Sequence, residues 1–267
     1  MKAFINGKHT RSGKPFYSLM EMSAASELPI YSGGKADVIF NWGGGGLPTL
    51  ANTVVLNRHP LFGKYAQAQA MKKQSEFPES IPRSYHKLRD AKKFPIVRKP
   101  INSYGGHGIV LIKSARGKGE RIDTWYQEFI KKVREIRVYF FNGSVGLVEE
   151  KFVIDPNKVT WNLYNCLRWQ RCRELEANNE LASIVCSAAK AIRLDWGAAD
   201  VLIDKNNKFW ICEINSSPSC WGGHKPKLKM VVKNDIYVLT ENERSDLDLS
   251  AKMWANHMKR FIRQTRG

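Results

Sequence analysis

Apolar and polar positions along this chain fall into three stretches of helical period separated by short extended runs. Leu61, Tyr65, Ala68 and Met71 recur at i, i+4, i+7 and i+10, which predicts a helix from about Pro60 to Lys73 with Pro60 suited to its first turn. Leu181, Ile184, Val185, Ala188, Ala191 and Ile192 form one apolar stripe, which predicts a helix over Glu174–Arg193. A last helix is expected from Asp248 to Arg263, with Ser245-x-x-Asp248 as a capping box and Met253, Trp254, His257, Met258 and Phe261 on one side. Ala36–Trp42, Thr53–Leu56, Phe94–Lys99, Ile109–Lys113 and Trp125–Ile130 read as extended. Ile136–Phe141 and Val145–Glu150 flank Asn142-Gly143, a strong hairpin signal.

A second hairpin carries the chain's most informative chemistry. Ala198–Asp204 and Lys208–Ile214 flank the polar turn Lys205-Asn206-Asn207. With a loop spanning Lys205 to Lys208, Asp204 pairs with Phe209, and Asp200 falls opposite Glu213 on one sheet face. Glu213 and Asn215 are two apart and share that face. Three oxygen-bearing side chains then converge, a hard donor set suited to Mg²⁺. Glu213-Ile214-Asn215-Ser216-Ser217-Pro218 also ends in residues that terminate strands, so on this stretch alone a metal site and a plain strand end are equally good readings.

Composition narrows the partners. The 267 residues can bury one large domain or two small ones. Their apolar content, with eight Trp, argues for a globular chain. No apolar stretch reaches membrane length, and Met1–Leu19 is too polar for a signal peptide. Five cysteines without C-x-x-C spacing suggest incidental thiols in a reducing cytoplasm, or in a host's cytoplasm if the chain is viral. The formal net charge of +18 calls for a polyanionic partner: nucleotide phosphates, nucleic acid or an acidic polypeptide.

Two glycine clusters bear on phosphates. Gly43–Gly46 follows a buried strand as in a mononucleotide-binding unit, without the G-x-G-x-x-G spacing. Gly105, Gly106, His107 and Gly108 lie between two strands, whereas Walker A and Rossmann loops lead into a helix. A glycine hairpin tip can still cover phosphates with its backbone N–H groups, and a plain hairpin fits the same residues. Arg98 and Lys99 enter this loop from opposite faces of a strand, so only one of them can point into a site. His107 reads as exposed or phosphate-contacting rather than as a base.

Taken in order, these pieces are Gly63-Lys64, then Pro95–Pro100 with its glycine hairpin, Tyr126–Ile130, Glu135-Ile136-Arg137, Asp195–Val201 and Glu213–Pro218. Their order resembles the ATP-grasp superfamily, most closely the RimK-like carboxylate–amine ligases, over roughly Asn57 to Ser219. The compactness resembles the short ATP-grasp proteins of phages and bacteria.

The resemblance implies an α+β fold, two α+β subdomains enclosing ATP, preceded by a short α/β N-terminal region at 1–56. It divides the ATP-grasp part, 57–267, into a linker helix and lid (57–128) and a central metal-binding subdomain with the C-terminal helix (129–267). It makes Lys64, Lys99 or Arg98, the glycine hairpin and Lys151 the phosphate contacts. Gln127, Glu128, Phe129 and Ile130 become the adenine hinge. Asp200, Glu213 and Asn215 become ligands of Mg²⁺, or of Mn²⁺ in its place. Arg137, with Lys99, neutralises the transferring phosphoryl or acyl-phosphate; the plain alternative for Arg137 is a hairpin salt bridge with Glu135 or Glu149.

Related ligases place an Arg-Asn pair where this chain has Trp161-Asn162. The implied activity is ATP-dependent joining of a carboxylate, as its acyl-phosphate, to an amine. An acidic peptide or polymer is the expected partner, steered by Lys225, Lys227 and Lys229. The rivals are a kinase of a polyanionic small molecule on the same fold and a non-enzymatic nucleic-acid binder. For the latter the best stretch is Trp161, Tyr164 and Trp169 among Arg168, Arg171 and Arg173.

Overall fold

A computed structural model describes residues 1–7, 17–43, 47, 50–61, 63–101, 106–114, 121–161, 166–218, 230–233, 236–239 and 249–266. Gly44–Gly46, Gly105, Asn162, Tyr164, Ser245, Asp248 and the three lysines Lys225, Lys227 and Lys229 lie outside them. The chain opens with β1 (Ala3–Gly7), α1 (Tyr17–Ser26), β2 (Val38–Trp42) and β3 (Val54–Leu56). The three strands pair in parallel in the order β1-β2-β3. All five residues of β2 are buried, as befits the middle strand of a parallel sheet.

The next helix, α2 (Lys64–Gln74), starts later than the predicted Pro60. Gly63, at φ 88, breaks the helical backbone just before it, and the Leu61 N–H donates instead to the Ile192 carbonyl at 3.0 Å. The lid sheet follows: β4 (Ser84–Tyr85), β5 (Ile96–Pro100), β6 (Val110–Ile112) and β7 (Thr124–Glu128), antiparallel in the order β4-β7-β5-β6.

β8 (Lys132–Phe141) and β9 (Ser144–Val153) form the expected hairpin, extended beyond its predicted outer ends. Phe141 faces Ser144 across a two-residue turn in which Asn142 and Gly143 have φ of 46 and 76. Both values are positive, the geometry that favours Asn-Gly. β10 (Cys166–Arg171) comes next. The helix expected over Glu174–Arg193 is broken into α3 (Arg173–Glu176) and α4 (Asn179–Ala191). Asn178 causes the break: its backbone is extended and its side chain accepts the Leu181 N–H at 2.8 Å, so it caps a new helix.

β11 (Trp196–Asp204) and β12 (Phe209–Asn215) complete a five-stranded antiparallel sheet, β10-β9-β8-β11-β12. A two-stranded pair, β13 (Met230–Lys233) and β14 (Ile236–Leu239), precedes α5 (Leu249–Arg266).

The central sheet has two different faces. Ile136, Val138, Phe140, Val148, Ala199, Val201 and Ile211 point to one side and pack with the apolar stripe of α4. On the other side Tyr139, Phe141, Leu147, Trp196 and Ala198 lie under Trp254 and Met258 of α5 and under Ile5, Phe40 and Trp42 of the N-terminal sheet. That cover stops short of the strand ends bearing Glu135, Arg137, Lys151 and Asp200. The same face, continued two or four residues along β8, β9 and β11, is therefore open for polar chemistry.

Candidate active site

A cleft of about 440 Å³ lies between the lid sheet and the uncovered part of the central sheet. That is within the ~300–1,000 Å³ of small-molecule sites. Val97, Lys99 and Gln127 line it from the lid, and Arg137, Lys151, Asp200, Glu213 and Asn215 from the central sheet.

The metal-candidate hairpin reaches the expected pairing by an unexpected route. Ile203, not Asp204, pairs with Phe209, because the Asp204 N–H donates to the Lys208 carbonyl and closes the turn one residue earlier. Continued regularly, that register would set Cys212 against Asp200. A bulge between Asp200 and Val201 absorbs the difference, so that Asp200 pairs with Glu213 and Ala198 with Asn215. Cys212 and Glu213 both line the cleft as a result.

Asn215 Nδ2 donates to Glu213 Oε1 at 3.1 Å and to Asp200 Oδ2 at 3.4 Å, so the three side chains meet. Among the described residues no three His, Cys, Asp or Glu side chains form a metal-holding group. The site offers two carboxylates, and its third oxygen is the Asn215 carboxamide. Such a donor set fits Mg²⁺.

Cations flank this cluster. Lys64 Nζ lies 2.6 Å from Glu213 Oε2, and Arg137 Nε lies 2.8 Å from Asp200 Oδ1. Burial pushes the Glu213 carboxyl up, but Lys64 and Lys99 outweigh it and hold it at about 2. Burial pulls the Lys64 ammonium down, and Glu213 with Asp200 more than restores it. Burial likewise opposes the Arg137 charge, and Asp200 raises it above the ordinary guanidinium value. The partner of Arg137 is thus Asp200, directly across from it on β11, rather than Glu135 or Glu149.

The other two carboxylates have their own partners. Glu149 accepts from the Tyr139 hydroxyl at 2.6 Å. Buried Glu135 pairs with Lys132 at 2.5 Å and with Lys151. In the sequence Glu135 stands out only as a neighbour of Arg137. Its pairing with Lys132 is local to β8, whereas its pairing with Lys151, sixteen positions away, depends on the β8–β9 pairing and has no local signal.

On the lid, Lys99 is buried, donates to Gln127 Oε1 at 2.6 Å and lies 3.5 Å from Cys212 Sγ. Its neighbour Arg98 does not line the cleft. Gln127, Glu128, Phe129 and Ile130 line one wall. Of the glycine hairpin's described residues, Gly106 lines the cleft, while His107 and Gly108 are exposed in the turn.

The aromatic–basic stretch turns inward rather than outward. Trp161 is buried, with Lys132 Nζ 4.7 Å from its ring centre. Trp169 lines the cleft, Arg168 lies over Phe152, and Arg171 is paired with Glu176 at 2.7 Å. The exposed aromatics that a nucleic-acid surface needs are not found at Trp161 or Trp169.

Comparisons with known proteins bear on the family and the fold. Residues 82–236 match the family model of the RimK-like ATP-grasp domain. No curated protein matches the chain in sequence. Among solved structures, the ATP-grasp ligase PsnB with minimal precursor, Mg and ADP is similar at a TM-score of 0.52 and 13% identity, covering 81% of this chain and 89% of that one. PsnB with precursor peptide PsnA2 and AMPPNP is similar at a TM-score of 0.51 and 13% identity, covering 83% of this chain and 90% of that one. At such identities the likeness is one of fold.

Proposed function

The chain belongs to the RimK-like ATP-grasp family, and from that premise we propose that it activates a carboxylate as an acyl-phosphate for attack by an amine, with an acidic peptide or polymer as partner. Its fold is the ATP-grasp fold, its class is the ADP-forming, C–N bond-forming ligases, and its cofactors are ATP and Mg²⁺. The observation that carries the finer reading is the meeting of Asp200, Glu213 and Asn215 with Lys64, Lys99 and Arg137 in one cleft.

Each residue has a task in that reading. Asp200, Glu213 and Asn215 would hold the metal, which when bound supplies positive charge beside the β- and γ-phosphates. Lys64 and Lys99 neutralise phosphate oxygens from the linker helix and the lid. A carboxylate oxygen attacks the γ-phosphorus, and the bond to the β–γ bridging oxygen breaks, releasing ADP. The amine then adds to the acyl carbon, loses a proton, and expels inorganic phosphate. Arg137 stands where charge builds up in both steps. Closure of the lid sheet over the cleft keeps water from the acyl-phosphate.

Two further observations support the acidic, peptide-like partner. The net charge of +18 exceeds what one metal-bound nucleotide requires. PsnB, similar in fold, was captured with a precursor peptide.

The test is an ADP-release screen with MgATP against amino acids, short acidic peptides and acidic polymers, with mass spectrometry of the products. A ligase gives ADP, free phosphate and a product condensed with loss of water. Phosphate retained on the acceptor would instead identify a kinase. Glu213→Gln should lower turnover by roughly a hundredfold or more, since it removes a charged ligand from the reacting end of the site.

A further inference from the structure

We propose that the Trp169 indole N–H, set beside Arg137 and Lys151, binds an oxygen of the carboxylate that the enzyme activates, a step that rests on the ligase reading. Trp169 pairs directly with Lys151 across β9 and β10. Lys151 Nζ lies 4.7 Å and Arg137 Cζ 4.9 Å from its ring centre. The indole nitrogen is buried and finds no acceptor among the described residues.

A buried N–H without an acceptor is unfavourable and calls for an explanation. Four other buried polar atoms share that state: Trp42, Trp196 and Trp254 Nε1 and the Tyr126 hydroxyl. The three tryptophans pack together in the core, with Trp254 nearly perpendicular to Trp42 and Trp196 at 82° and 81°. A ring face can receive an N–H in such packing. None of these four residues lines the cleft, whereas Trp169 does.

Chemistry selects the ligand. An indole N–H only donates, so the missing partner is an acceptor. Both groups against the ring are cations, Arg137 bonded to Asp200 and Lys151 to Glu135 from their other sides, so an acceptor at the ring meets positive charge first and an anionic one is favoured. The donor itself is neutral, which suits a singly charged carboxylate better than a phosphate chain already matched by Lys64 and Lys99. Position agrees. Arg137 bonds Asp200 and lies against the Trp169 ring, so it stands between the metal-ligand end and the indole. A carboxylate held by Trp169 therefore neighbours the phosphoryl group it must attack. One carboxylate oxygen forms the new bond to phosphorus. The other, held by the N–H, becomes the acyl oxygen and carries the negative charge when the amine adds.

Trp169→Phe keeps a ring against both cations and deletes only the donor. Glutarate and, separately, inorganic phosphate would be titrated calorimetrically into wild-type and variant enzyme loaded with MgADP. The expected result is glutarate binding weakened roughly tenfold in the variant, with MgADP and phosphate affinities within about twofold of wild type. Unchanged MgADP binding also shows that the variant is folded. Glutarate that fails to bind the wild type, or binds both proteins alike, overturns the carboxylate subsite and leaves the ligase reading standing. A loss of phosphate rather than glutarate affinity overturns it too, by assigning the donor to the transferred phosphoryl. Failure of the wild type to bind MgADP would overturn the ligase reading and this subsite together.

Discussion

Glu135 is a carboxylate buried between two lysines, and its state shows how charge is managed beside the cleft. Burial alone would raise its pKa, but Lys151 and Lys132 more than compensate and hold it below the ordinary 4.5. A depressed carboxyl stabilises the fold above its unfolded pKa, and that stability is lost as pH falls through the folded value. Glu135→Gln leaves two buried ammonium groups without their counter-charge, a change that costs about 3–5 kcal/mol. The gap between wild-type and variant melting temperatures should therefore be full at pH 7 and narrow progressively below about pH 4.5. A gap that is constant down to pH 3, or widens, would show that Glu135 is not held ionised by these lysines. The pairing with Lys151 was invisible in the sequence, because Lys151 is sixteen positions from Glu135 and only strand pairing brings them together.

At the scale of single elements, period and turn chemistry were largely legible. The Asn142-Gly143 hairpin and the α4 stripe follow from local preference, and the cap that splits the helix at Asn178 is a local signal too. The strand β5 shows what period two can decide. Adjacent residues face opposite ways, and Lys99 faces the cleft while Arg98 does not. Lys99→Ala should weaken MgATP binding roughly tenfold or more, and Arg98→Ala should leave it within about twofold. Nucleotide titration of the two variants checks this; a loss confined to Arg98 would shift the strand's register by one residue. The bulge at Cys212 was not legible. No local preference marks it, and the sequence-based pairing of Asp200 with Glu213 arose from a turn assumed one residue longer than the one that forms.

The molecule as a whole is joined by a small buried network centred on Asn57. Its Oδ1 accepts the Asp195 N–H at 2.6 Å and its Nδ2 donates to the Trp196 carbonyl at 2.8 Å. Asn41 of the parallel sheet in turn donates to the Asn57 carbonyl at 2.8 Å. The N-terminal strands are thereby tied to the start of β11, the strand that carries Asp200. Gly43, at the end of β2, lies against Ser217 with no room for a Cβ, a second link to the loop after Asn215. Asn57 also holds a φ of 56, which Asn tolerates better than most residues. Asn57→Ala should destabilise the protein by about 3 kcal/mol, seen as a lower denaturation midpoint with an unchanged slope. A shift below about 0.5 kcal/mol would mean that the network is not needed to join the two parts.

Residue order by itself marked the hairpins β8–β9 and β11–β12 and the apolar faces of α2, α4 and α5, though not β1, α1, β10 or the β13–β14 pair, and it supplied the residues proposed for the site: a carboxylate-rich hairpin, a cation before a glycine turn, and an arginine on a neighbouring strand. These follow from local rules, since strand period and turn type depend on residues a few positions apart. Tertiary structure alone decided which charges meet. The pairing of Arg137 with Asp200, the Glu135–lysine cluster, the bulge at Cys212 and the turning of Trp169 into the cleft all depend on contacts between distant segments. Coulomb attraction and desolvation act through space, and distance along the chain does not specify them.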